Sequence, residues 1–267
     1  MSVSEASVAL SVSAGQGFTD RGLARLSRPP RAISLDLDDT LWPMMPVLKH
    51  AEAMLADWLR QHAPATAAWL DPETRARLRR AVIDDHPHKL HDVGFIRHEL
   101  IRRALTAAGE DPALADPAYQ VFFDARQQVA LYADVRPVLA RWSQRVPLVA
   151  LTNGNADIRR VGLQEFFRGS VSAHEIGCAK PDARAFHAVC DIAGCEPGDV
   201  LHIGDDPALD VAGAQAAGLQ AAWLLRAELA GRHAADAATV TPFSDLHELD
   251  AEFSRLASNS SEPFRQE

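Results

Sequence analysis

The stretch AISLDLDDTLW, Ala32 to Trp42, decides how the rest of the chain is read. A short, mostly apolar run with the character of a buried strand ends abruptly in Asp36, Asp38 and Asp39. Like charges this close repel, and each is costly to desolvate. Either the cluster sits on a solvated turn, with DDT capping the helix after it, or a cation compensates it. On an extended segment, side chains two apart point the same way, so Asp36 and Asp38 share a direction that Leu37 does not.

Two further apolar runs end in the same manner: VPLVAL passes into TNGN, and DVLHI into GDDPALD. Continuous rather than alternating apolar runs belong to strands covered on both faces, as in parallel α/β sheets. Helical patterns separate them, DIRRVGLQEFF after the second run and PDARAFHAVCDIAG before the third, with Pro181 at a first helical turn and Gly194 at a C-cap. ALDVAGAQAAG and the apolar AAWLL follow. This alternation predicts an α/β fold, a doubly wound and mostly parallel Rossmann-like sheet.

From about Met44 to Asp134 the rhythm changes to helix after helix. PVLKHAEAMLADWLRQH puts Val47, Leu48, Ala51, Leu55, Trp58 and Leu59 near one face, and PETRARLRRAVIDD, DVGFIRHELIRRALTAAG and PAYQVFFDARQQVALY follow. The expected organisation is a core of residues 31–43 and 135–256 with a second, helical domain, 44–134, inserted after the first strand. Residues 1–30, rich in Ser, Gly and Ala and ending in a Pro pair, read as a mobile tail, as do residues 257–267.

Composition narrows the function classes. The chain has 267 residues, 47% of them hydrophobic, enough for a substantial core plus a smaller domain. A net charge of −9 argues against general nucleic-acid binding, which needs basic stripes. No apolar run approaches the roughly 18 residues of a membrane span. Cys178, Cys190 and Cys195 form no CxxC pair and read as reduced thiols of a cytoplasmic protein, not as a disulfide framework or zinc site.

In open α/β sheets, ligands bind outside the carboxyl ends of the strands, where all three polar clusters lie. Convergent carboxylates such as Asp36 and Asp38 can divide phosphoryl transfer between them. One attacks as nucleophile; the other protonates the leaving alcohol and then activates water. Magnesium would offset the repulsion and hold the nucleophile against an anionic phosphate. Thr152 and Asn153, with Gly154 freeing the backbone, make a phosphate cradle, although T-N-G is also ordinary turn chemistry. Lys180, directly before a helix start, can neutralise Asp36 and the transferring group, or be a solvated surface lysine. In GDDPALD, Asp205, Asp206 and Asp210 offer a further carboxylate for a hard divalent cation, while Asp206 before Pro207 also suits a helix N-cap.

Jointly, DLDDT, LTNGN, Lys180-Pro181 and GDDPALD, in that order and each in its strand context, resemble the four motifs of the haloacid dehalogenase superfamily, in its phosphatase branch with a helical cap. The resemblance spans roughly Ala32 to Leu225. It implies Asp36 as nucleophile and metal ligand, and Asp38 as general acid/base that also lends a backbone carbonyl to the metal. It further implies Thr152, Asn153 and Lys180 as phosphate-binding groups and Asp205 as the third protein ligand to Mg2+. Asp206 and Asp210 would stand behind these. The dehalogenases of the superfamily lack the second aspartate, so Asp38 argues against carbon–halogen hydrolysis. VPLVALTNGN, HDVGFIRHELIRRAL and VLHIGDD are most similar to the bacterial branch acting on flavin mononucleotide and the phosphorylated riboflavin precursor.

The implied activity is a magnesium-dependent phosphomonoesterase on a small phosphorylated metabolite, with a sugar phosphomutase and a non-catalytic binding protein as alternatives. Trp42, Met44 and Met45 could line the entrance, and Trp42 could stack on a flat ring or simply pack at the helix start. HPHKLHDVGFIRH holds His86, His88, His91 and His98 at no common zinc spacing, and reads as a polar loop in which His91 or Arg97 could touch substrate. RARLRR reads as a solvated helix face.

Overall fold

The computed structural model describes residues 29–233 and 241–259, so the expected tails fall almost wholly outside it. Five parallel strands, β1 (Ala32–Leu35), β2 (Leu148–Thr152), β3 (Gly169–Ser172), β4 (Val200–Gly204) and β5 (Gln220–Trp223), form one sheet in the order β3-β2-β1-β4-β5. In β1, Ile33 is opposite Leu148 on one side and Leu201 on the other. Chain direction across the sheet reverses between β1 and β4, the point at which such folds open a crevice.

Alternation along the strands supplies two separate cores. Ile33, Leu35, Leu148, Ala150, Leu201 and Ile203 pack with α6 (Val135–Ser143) and the helix Leu246–Asn259 on one face. Ala32, Val149, Leu151 and Val200 pack with α7 (Ala183–Ala193) on the other. Both faces are covered, which is why the strands read as apolar runs.

The segment between β1 and α6 is helical: α1 (Met44–His62), α2 (Pro64–Trp69), α3 (Pro72–Asp85), α4 (Val93–Ala107) and α5 (Ala115–Arg126). It has a core of its own, in which Ala51, Leu55 and Leu59 of α1 meet Ile101, Leu105 and Phe122. Asp71 and Asp92 accept the Thr74 and Phe95 backbone N–H groups and cap α3 and α4. Asp39, at φ 60°, accepts the Met44 N–H at 2.8 Å and turns the chain into α1. No helix among the described residues is long and apolar enough to cross a membrane.

The structure departs from the sequence reading in three places. DIRRVGLQEFF is not a helix: turns lead through Gly162, at φ 77°, to a short 3₁₀ turn at Gln164–Phe166. GSVS is a strand despite lacking an apolar run, because β3 is a sheet edge, its first residue half-buried and its second exposed. The helix Leu246–Asn259 passes the expected core boundary at 256.

Candidate active site

The carboxyl ends of β1, β2 and β4 deliver the charged residues to one crevice, and the loop after β3 brings Lys180. Lys180 is 4% exposed, and its Nζ donates to Asp36 Oδ1 at 2.5 Å, Asp210 Oδ1 at 2.6 Å and the Leu151 carbonyl at 3.2 Å. All three ammonium donors are therefore used. Burial opposes the charge, but Asp210 and Asp36 outweigh it and raise the lysine above its ordinary range.

The two carboxylates that share the lysine differ in their other neighbours. Asp210 is held below the carboxylate range: burial opposes ionisation, but Lys180 and His202 overcome it. Asp36 is pushed up to about 7, chiefly by burial, with Lys180 opposing and Asp210 reinforcing the rise. Thr40 Oγ1 donates to Asp36 Oδ2 at 3.2 Å.

Asp205 comes within reach of both: one carboxylate oxygen from each of Asp36, Asp205 and Asp210 lies within 4.8 Å of the others. Burial, then Asp36 and Asp210, raises Asp205 well above its ordinary value. Asp210 is already engaged, since its Oδ2 also accepts the Asp206 N–H at 2.9 Å. Gly204 is required beside it, because a Cβ there would stand 2.2 Å from Asp210 Cγ. Asp210 thus meets three donors, whereas each Asp36 oxygen meets one and the Asp205 carboxylate has no hydrogen bond among the described residues; crowded, desolvated carboxylates with oxygen-only donors fit a hard divalent cation such as Mg2+.

Asp38 faces the same crevice. Its Oδ1 accepts Trp42 Nε1 at 2.9 Å and Arg126 Nη2 at 2.6 Å; Oδ2 accepts the same Nη2 at 2.5 Å. Thr152 Oγ1 accepts the Gly154 N–H at 2.9 Å. The Asn153 amide is engaged with the Lys180 main chain, accepting its N–H at 2.7 Å and donating to its carbonyl at 3.0 Å. Its side chain therefore sets the lysine loop. Asp206 caps the turn Pro207–Ala212 through the Ala208 and Leu209 N–H groups.

Several residues differ from the sequence reading. Trp42 is fully buried and orients Asp38, so it does not line an entrance. Arg97 pairs with Glu52 at 2.5 Å and lies 3.7 Å over the Phe122 ring, inside the helical segment. His86 packs edge-on to Phe95 and His98 bonds Asp116 at 2.7 Å. Among the described residues these histidines form no metal-sized cluster. Two open surface hollows, one around Arg159 and Glu165 and one around Cys190 and Glu196, share none of the crevice residues.

Sequence reasoning missed Arg126, which nothing distinguishes from other helix-end arginines. It also missed the pair Ser34 and His202, directly opposite in the β1–β4 register. His202 is fully buried, meeting Ser34 Oγ through Nδ1 at 2.8 Å and Asp210 Oδ1 through Nε2 at 3.1 Å. The signal was available: Ser and His interrupt otherwise apolar strands.

A parallel sheet of this order with an aspartate-rich crevice at its switch point defines a Rossmann-like α/β protein with its candidate site where such folds bind ligands. Residues 30–218 match the family model of the haloacid dehalogenase-like hydrolases, and the chain belongs to that family of enzymes. It is 32% identical over 208 residues to the 5-amino-6-(5-phospho-D-ribitylamino)uracil phosphatase YigB of Escherichia coli, covering 76% of this chain and 85% of that protein. It is 30% identical over 205 residues to a phosphoserine phosphatase of Thermus thermophilus, covering 73% of each. Among solved structures, a 2-haloacid dehalogenase from Pseudomonas syringae superposes with a TM-score of 0.78 at 33% identity, covering 85% of this chain and 99% of that one.

Proposed function

We propose that this enzyme is a magnesium-dependent phosphomonoesterase acting on a small phosphorylated metabolite, with flavin mononucleotide and the phosphorylated riboflavin precursor as first candidates. The observation that carries the reading is the bridging of Asp36 by Lys180, with Asp38 two residues on and Asp205 beside it. The phosphatase names of the curated relatives support it.

In this reading Asp36 attacks phosphorus and the ester P–O bond breaks, leaving an aspartyl phosphate. Asp38 gives its proton to the departing alcohol oxygen, then takes one from the water that attacks the phosphorus and frees phosphate. Lys180 balances the charge on Asp36 and on the transferring oxygens, while Thr152 and the Gly154 N–H set the floor beneath them. Held by Asp36, Asp205 and the Asp38 carbonyl, Mg2+ would supply positive charge that keeps Asp36 ionised and screens it from the phosphoryl group. The helical segment 44–126 acts as a cap that shields the crevice and chooses the leaving group.

Similarity to a solved 2-haloacid dehalogenase raises carbon–halogen hydrolysis as a second reading. A departing halide is too weak a base to need a proton donor, whereas an alkoxide needs one, and Asp38 supplies it. The test is phosphate release from a metabolite panel containing flavin mononucleotide, with chloroacetate alongside. Wild-type protein should release phosphate only with Mg2+, and Asp36→Asn should lose at least about a thousandfold in kcat while unfolding at a similar temperature. Halide release without phosphate release, isomerisation of a sugar phosphate in place of hydrolysis, or full activity in excess chelator would each overturn it.

A further inference from the structure

Arg126 closes α5 and is the one buried cation that the helical segment sends into the crevice among the described residues. It is 2% exposed. Its Nη2 is shared between both oxygens of Asp38, and its Nη1 is buried with no hydrogen-bond partner among the described residues. An arginine fork is planar, so Nη1 lies beside the nitrogen that grips Asp38. A desolvated guanidinium N–H without an acceptor is costly, and natural sites rarely keep one without a use.

A second feature marks the same spot. A Cβ on Gly154 would stand 2.9 Å from Asp38 Oδ2, 3.2 Å from Thr152 Oγ1 and 3.7 Å from Arg126 Nη2. Gly154 therefore keeps clear the small volume where the proton donor, the floor and the arginine meet. Lys180 and Thr152 already serve the phosphoryl side of that volume. Asp38 serves the alcohol oxygen, and Arg126 is the partner of Asp38.

We propose that Arg126 is the substrate-recognition residue of the helical segment, with Nη2 setting Asp38 and Nη1 donating to an oxygen on the alcohol portion of the ester. The favoured substrates then carry a hydroxyl or carboxylate close to the ester carbon. This inference rests on the phosphomonoesterase reading, and it is tested by binding so that the two fail separately.

The experiment uses the full chain carrying Asp36→Asn, with Mg2+, and compares calorimetric affinities for phosphoglycolate against ethyl phosphate and for glycerol 3-phosphate against propyl phosphate. The protein should prefer the oxygenated member of each pair by about tenfold or more, the weight of one charge-assisted hydrogen bond. Adding Arg126→Met should bring each ratio within about twofold. Arg126→Lys, which keeps a cation on Asp38 but has no second fork nitrogen, should also lose the preference. Gly154→Ala should weaken all four ligands together. A preference that survives Arg126→Met, or that is absent from the parent protein, would overturn the inference and leave Arg126 as a strut between helices and sheet. Phosphate-ester turnover by the protein with Asp36 intact is measured separately and bears on the reaction alone.

Discussion

Two buried cations meet the crevice from opposite sides, and they are held in opposite ways. Lys180, from the sheet side, has every donor matched: two carboxylates and a carbonyl. Arg126, from the helical side, holds Asp38 with one nitrogen and leaves another buried without a partner. The sheet side is complete before any ligand arrives, which suits chemistry common to every substrate. The helical side is incomplete, which suits a contact that the substrate itself finishes.

The comparison breaks most visibly at Lys180. Lys180→Met leaves Asp36 and Asp210 buried without their cation, so stability should fall by about 3–5 kcal/mol in urea unfolding, with turnover lost. A loss below about 1 kcal/mol would mean that the sheet side is not preassembled.

The next effect concerns metal and pH. Asp36 rises from 3.8 to about 7 on folding, and Asp205 rises as well, burial leading in both. A carboxyl with a higher pKa folded than unfolded holds more protons in the folded state between the two values. Metal-free stability should therefore fall as pH rises from about 4 to about 7. Asp210, depressed by Lys180 and His202 against burial, acts oppositely, its contribution being lost only in stronger acid. Magnesium has to displace the protons, so it should raise the unfolding temperature clearly at about pH 8 and little at about pH 5.5. Equal shifts at both would remove Asp36 and Asp205 as its ligands.

Smaller effects separate orientation from structure. Trp42→Phe removes the indole donor to Asp38 while keeping most of the ring packing, and should cost about 1 kcal/mol with a several-fold fall in kcat. Asp206→Ala should cost about 1 kcal/mol as a lost helix cap, read by thermal unfolding.

How far the sequence could be read follows from the range of the forces involved. The strands β1, β2 and β4 were visible because both faces are covered and their residues are continuously apolar. The edge strand β3 was not, since GSVS carries no strong period, and the turns after β2 were hidden by the helix-like spacing of DIRRVGLQEFF. Asp36, Asp38, Lys180 and Asp205 were singled out as candidates by strand-end position together with the family resemblance. The partners around them were not: Ser34 and His202 drew no reading of their own, and Trp42 was read as lining an entrance or packing at the helix start, not as a donor to Asp38.

The sequence by itself determined the α/β alternation, the helical insertion and the acidic crevice, because burial period and strand-end chemistry are local patterns. Only the tertiary structure decided that Lys180 is shared by Asp36 and Asp210, and that Arg126, from 88 residues away, holds Asp38 with a nitrogen to spare. Those pairings come from packing distant segments into one dry space, where distance in three dimensions sets the charge of each group.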